Sequence, residues 1–85
     1  MRTIIKKIID SFPEYTFDME TTMWDWIIYF KSNEFDQFRF FFELSNTTDT
    51  EKIIYKVKIS NGVKWETIYD DNIDNLIQKT KEILN

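Results

Sequence analysis

With 85 residues, 42% of them hydrophobic and 31% charged at a formal net charge of −4, the chain has room for one globular domain and one core. It holds no cysteine, no histidine, one glycine and one proline, which excludes a disulfide framework, a zinc–thiolate centre, thiol or histidine catalysis and a glycine-rich phosphate loop. No apolar run approaches the ~20 residues of a membrane span and Met1-Arg2-Thr3-Ile4 begins no signal peptide, so a cytoplasmic protein without membrane contact is expected.

Ile4, Ile5, Ile8, Ile9 and Phe12 recur at helical spacing with Lys6, Lys7 and Asp10 opposite, predicting an amphipathic helix over 2–12. Pro13, which has no N–H to continue the ladder, ends it. The period then changes to two. Tyr15, Phe17 and Met19 alternate with Glu14, Thr16, Asp18 and Glu20, the pattern of a strand over 14–20 with one apolar and one acidic face. A strand over 22–31 sets Trp24, Trp26, Ile28 and Phe30 on one face, and Met23, Asp25, Ile27 and Tyr29 on the other. The next, over 35–45, sets Phe38, Phe40, Phe42 and Leu44 inward, with Phe35, Gln37, Arg39, Phe41 and Glu43 outward. Trp24 and Trp26 thus read as core residues.

The last hairpin joins strands over 52–60 and 63–69. Ile53, Tyr55, Val57 and Ile59 form one apolar set; Val63, Trp65 and Tyr69 form the other. A two-residue Asn61-Gly62 turn would put the sets on opposite faces. A three-residue loop, Ser60-Asn61-Gly62, pairs Ile59 with Val63, Val57 with Trp65 and Ile53 with Tyr69. The hydrophobic register therefore predicts the longer loop, with Gly62 in a left-handed bulge position and Ile54 and Ile68 outward. Asp70 or Asp71 then caps a helix over 71–84, whose stripe is Ile73, Leu76, Ile77, Thr80, Ile83 and Leu84. The whole predicts a single α+β domain over 1–85. Its plan is helix, antiparallel meander of four or five strands, helix, folded as a two-layer sandwich with both helices on one sheet face.

Three groups of residues could carry function. Asp70, Asp71 and Asp74 offer the oxygen donors a hard cation takes, but acids in a first helical turn are favoured by capping and by the helix dipole without a ligand. No catalytic residue, metal or cofactor is expected, and the chain reads as a non-enzymatic binding module. The second group is the outer sheet face. Tyr29, Arg39, Phe41, Ile54 and Ile68 there form a candidate partner or homodimer face, since an exposed apolar patch marks an interaction surface. Lys52, Lys56, Lys58 and Lys64 make the same face an alternative platform for stacking and holding nucleic acid. The net negative charge and the presence of only two arginines rank that alternative lower.

The third group is acidic. Residues 1–9 carry +3, residues 10–51 carry −8 and residues 52–85 carry +1. Glu14, Asp18 and Glu20 share one face of the first strand, with Asp25, Glu34 and Asp36 near in sequence. Such a row, with alternate residues ~6.6–6.8 Å apart, could occupy part of a basic groove made for nucleic acid. A solvated face that keeps an edge strand from mispairing has the same pattern.

Composition adds a hint of origin. Alanine is absent while isoleucine occurs thirteen times, and Gly, Ala, Pro and Arg, with GC-rich codons, number four together. This usage points to an AT-rich genome. Small size, the acidic stretch 14–51 and the α+β plan resemble the small inhibitor proteins of phages and mobile elements, anti-CRISPR proteins and other nucleic-acid mimics among them. The resemblance is to a class and rests on no shared motif. It implies an inhibitor that binds a basic groove of a host nuclease or other nucleic-acid-binding protein in the bacterial cytoplasm. The plan is also similar to double-stranded-RNA-binding domains, but where those need lysines at a helix start this chain has Asp70, Asp71 and Asp74.

Overall fold

A computed structural model of the chain describes residues 2–23, 25–31, 38–45, 54–60 and 63–84. Helix α1 (Arg2–Ser11) closes where the Ser11 hydroxyl donates to the Lys7 carbonyl at 2.6 Å and the Phe12 N–H donates to the Ile9 carbonyl at 3.2 Å. Pro13 cannot continue it. The Tyr15 N–H then donates to the Phe12 carbonyl and turns the chain into β1 (Thr16–Thr21). In the next turn the Thr22 N–H donates to the Asp25 carbonyl at 2.8 Å and the Asp25 N–H to the Thr22 Oγ1 at 2.9 Å. β2 (Asp25–Lys31), β3 (Phe38–Ser45), β4 (Tyr55–Ser60) and β5 (Trp65–Asp70) follow, each antiparallel to its predecessor, in the order β1-β2-β3-β4-β5. Helix α2 (Ile73–Leu84) completes the α+β plan.

The register assembles the core. Phe30 faces Phe40, Ile28 faces Phe42 and Trp26 faces Leu44; on the other side of β3, Phe40 faces Ile59 and Phe42 faces Val57. Period two puts these residues on one face, and all but Trp26 are buried. Ile5, Ile8 and Phe12 come down on that face from α1 and its end, and Leu76, Ile77 and Thr80 from α2. Phe12 is the hub, with its ring 4.8 Å from that of Phe40 and 5.3 Å from that of Phe30. The Thr80 hydroxyl, inside this layer, donates to the Leu76 carbonyl at 2.7 Å. Lys7 pairs with Asp74 at 2.8 Å, and the Lys81 ammonium lies 5.8 Å from the Phe12 ring centre. The two helices therefore ascend together, parallel.

Several expectations change. β1 begins at Thr16, so Glu14 lies in the preceding turn and off the strand. β2 begins at Asp25 because the Thr22–Asp25 hydrogen bonds shape a turn there, and Met23 lies in that turn. The cap of α2 is Asn72. Its Oδ1 accepts the Asp74 N–H at 2.9 Å and the Asn75 N–H at 3.2 Å, the bonds that satisfy a first helical turn. Asp70 accepts the Asn72 N–H and the Lys79 ammonium instead.

The largest change is at the final hairpin. Ser60 faces Trp65, Val57 faces Ile68 and Tyr55 faces Asp70, a shift of three residues from the expected pairing of Ile59 with Val63 and Val57 with Trp65. A shift of odd length moves every side chain of β5 to the other face. Ile68 is thus turned inward against the core and does not belong to the outer face. Trp65 and Tyr69 are turned outward, 50% and 60% exposed. The aliphatic residue takes the buried position, while the amphipathic aromatics accept partial solvent. Trp24, Glu34, Asp36 and the Asn61-Gly62 pair lie outside the described residues.

Candidate partner-binding face

With both helices on one side, the other face of the sheet is built by alternate residues of all five strands. Asp18, Tyr29, Phe41, Lys58 and Thr67 stand at paired positions and cross it as one row. Glu20, Ile27, Glu43, Lys56 and Tyr69 form the next. On the far side of the first row, past a register shift between Phe30 and Lys31, are Lys31, Arg39 and Trp65.

An aromatic ridge runs through the middle. The Phe41 ring lies 5.4 Å from that of Tyr29 and 5.4 Å from that of Trp65, tilted 41° and 63°, which are favourable offset geometries. The Lys58 ammonium sits 5.9 Å from the Phe41 ring centre. Phe41, Lys58, Trp65 and Thr67 line a shallow hollow of about 350 Å³. A second hollow, about 290 Å³, lies among Asp25, Glu43, Ile54, Lys56 and Tyr69.

Charge is divided across this ridge. Lys56 and Glu43, directly opposite on β4 and β3, pair at 2.6 Å, and that hydrogen bond holds the Lys56 ammonium above its ordinary pKa. The Arg39 guanidinium donates to the Ser60 carbonyl. The Tyr29 hydroxyl donates to the Glu20 carboxylate at 3.4 Å; burial, and then the Glu20 charge, push its pKa up. Asp18 and Glu20 are exposed on β1. Acids therefore mark β1 and the end near Asp25, and cations mark β4 and the opposite end, at Lys31 and Arg39.

Of the residues expected to act, Tyr29, Arg39 and Phe41 are together on this face, with Ile54 exposed just before β4. Asp18, Glu20 and Asp25 join them. Antiparallel pairing sets Asp18 opposite Tyr29 and Glu20 opposite Ile27, so the acidic row and the outer face are one surface. Glu14 stays apart in its turn. Trp65 and Tyr69 are the residues sequence reasoning missed. Ile68, the only aliphatic residue of β5, was the signal that could have found them, because anchoring it inward turns both aromatics out.

Comparison with known families, curated proteins and solved structures finds no match. What the face can bind follows from its own chemistry. Among the described residues no three carboxylates converge as metal ligands, and no helix is long and apolar enough to cross a membrane. The hollows are open and shallow, of a size to receive protruding side chains and unlike the enclosed clefts that bury a small molecule.

Proposed function

We propose that this chain is a non-enzymatic binding module that docks a larger protein through the open face of its sheet. The ridge Tyr29–Phe41–Trp65 makes the central contact, and Asp18, Glu20 and Asp25 meet cations on the partner. The observation that carries this reading is the ridge itself, a run of aromatic rings in contact on the face opposite both helices, with Trp65 exposed and Tyr29 and Phe41 partly so. Aromatic side chains supply much of the binding energy where they sit at the centre of an interface. Small size and the acidity of residues 10–51 support a particular form of the activity: an inhibitor that occupies a basic groove of a nucleic-acid-binding protein.

Affinity capture with the wild-type chain, followed by mass spectrometry, supplies the partner for the test. Replacing both Phe41 and Trp65 by Ala is expected to weaken binding by about 2 kcal/mol or more, roughly thirtyfold. Asp18→Lys with Glu20→Lys should slow association, whereas Glu14→Lys, off the face, should leave binding within about twofold. A folded Phe41→Ala/Trp65→Ala protein that binds as wild type refutes the proposal. Salt-sensitive retention of single-stranded nucleic acid, lost in Lys58→Ala, would move the face to the nucleic-acid class.

A further inference from the structure

The open face ends at β1, and the edge beyond it has a different character. Among the described residues β1 pairs with β2 alone, so one side of its backbone offers N–H and C=O groups that can template another strand. Its two faces are opposite in kind. Phe17 and Met19 face the same way as Phe30 and Ile28, their partners on β2, which are fully buried. Yet Phe17 is 47% and Met19 44% exposed, because α1 does not reach over them. Ile5, Lys6 and Ile9 of α1 instead border, with Met19 and Trp26, a groove of about 400 Å³. The core thus continues past its cover along this edge. Asp18 and Glu20 stand on the other face of the same six residues.

A second β1 is a poor occupant. Two copies joined edge to edge across a two-fold axis would set these carboxylates against one another, and like charges on neighbouring strands are destabilising. The complementary strand alternates cationic side chains, placed beside Asp18 and Glu20, with apolar ones laid over Phe17, Met19 and the groove. The sheet already contains such a pairing. β4 turns Tyr55, Val57 and Ile59 inward and Lys56 and Lys58 outward, and Lys56 closes on Glu43 of the neighbouring strand at 2.6 Å. We infer that the β1 edge docks an extended segment of a partner protein, alternating basic and apolar residues, as a sixth strand of the sheet. This goes beyond the open-face proposal: only Asp18 and Glu20 are common to both, and its apolar contacts lie on the helix side.

The test uses a short blocked peptide alternating lysine with valine, and a second of the same composition with its lysines and valines in separate blocks. Binding to the isotope-labelled full chain is followed by amide shifts and by hydrogen exchange. The alternating peptide should bind about tenfold more tightly than the blocked order and slow exchange at β1 amides. Met19→Asp should weaken it, with thermal unfolding measured alongside. Asp18→Lys with Glu20→Lys should transfer the preference to a peptide alternating glutamate with valine. The Phe41→Ala/Trp65→Ala protein should bind the peptide unchanged, which keeps this proposal separate from the previous one. Equal binding of the two lysine peptides, or protection at β5 or across the open face, overturns the inference. So does a dimer of the free chain that protects β1.

Discussion

The outward placement of Trp65 and Tyr69 depends on the β4–β5 register, and the register can be tested by two truncations at adjacent positions. Ile68 is partly buried, faces the fully buried Val57 and packs against the core. A well-buried Ile→Ala change costs about 2–5 kcal/mol, and partial exposure puts Ile68→Ala near the lower end, at about 2 kcal/mol. Tyr69, 60% exposed on the opposite face, should lose about 0.5 kcal/mol on truncation. A domain of this size shifts its Tm by about 4–8 °C per kcal/mol. Ile68→Ala should therefore unfold roughly 8–16 °C lower than wild type, and Tyr69→Ala roughly 2–4 °C lower. Thermal and urea unfolding followed by far-ultraviolet circular dichroism measure both, with an unchanged urea m value required for the comparison. If Tyr69→Ala is the more damaging of the two, the three-residue loop is right and the aromatic ridge loses Trp65.

Asn72→Ala should destabilise the fold by about 1 kcal/mol in urea, through loss of the cap on the Asp74 and Asn75 N–H groups, and Asn72→Asp should retain most of the stability. The Lys79 ammonium, and then the Asn72 N–H, hold the Asp70 carboxyl below its ordinary range. Its contribution is thus present above the unfolded carboxylate pKa, about 3.9, and lost as pH falls through the lower folded value. Tm measured from neutral pH downward should fall more steeply below about pH 4 for wild type than for Asp70→Asn; parallel curves would show that the contact with Lys79 contributes nothing.

Where a segment has one face that must be buried, its fate is legible in the sequence. Ile28, Phe30, Phe40 and Phe42 alternate with a mixed set, Ile27, Tyr29, Lys31, Arg39, Phe41 and Glu43, and a single register buries the first set from both strands. The same holds for the stripes of α1 and α2, although Ile83 keeps 40% of its surface exposed. β5 has no such constraint. As an edge strand it offers aromatics on one face and Ile68 on the other, and apolar tally favours the wrong side. Burial is decided by what α2 can cover. The site divides along the same line: Tyr29, Arg39 and Phe41 follow from the alternation of strands with a fixed register, and Trp65 does not. The acids of β1 were legible as a row, but their sharing of a face with Tyr29 is a property of pairing, which alternation within one strand does not encode.

The parallel ascent of the helices decides how the domain can be held. Arg2 opens α1 and Leu84 closes α2, so they lie at opposite ends of the helix layer, behind the sheet. A tether at either end leaves from the rear and does not shadow the aromatic ridge. The two ends are nevertheless unequal. An attachment before Arg2 starts one helical turn from Ile5 and Lys6, on the rim of the β1 groove. An attachment after Leu84 emerges from the helix that covers β4 and β5, on the other flank. Immobilised by that second end, the protein presents both its open face and its β1 edge to the solution.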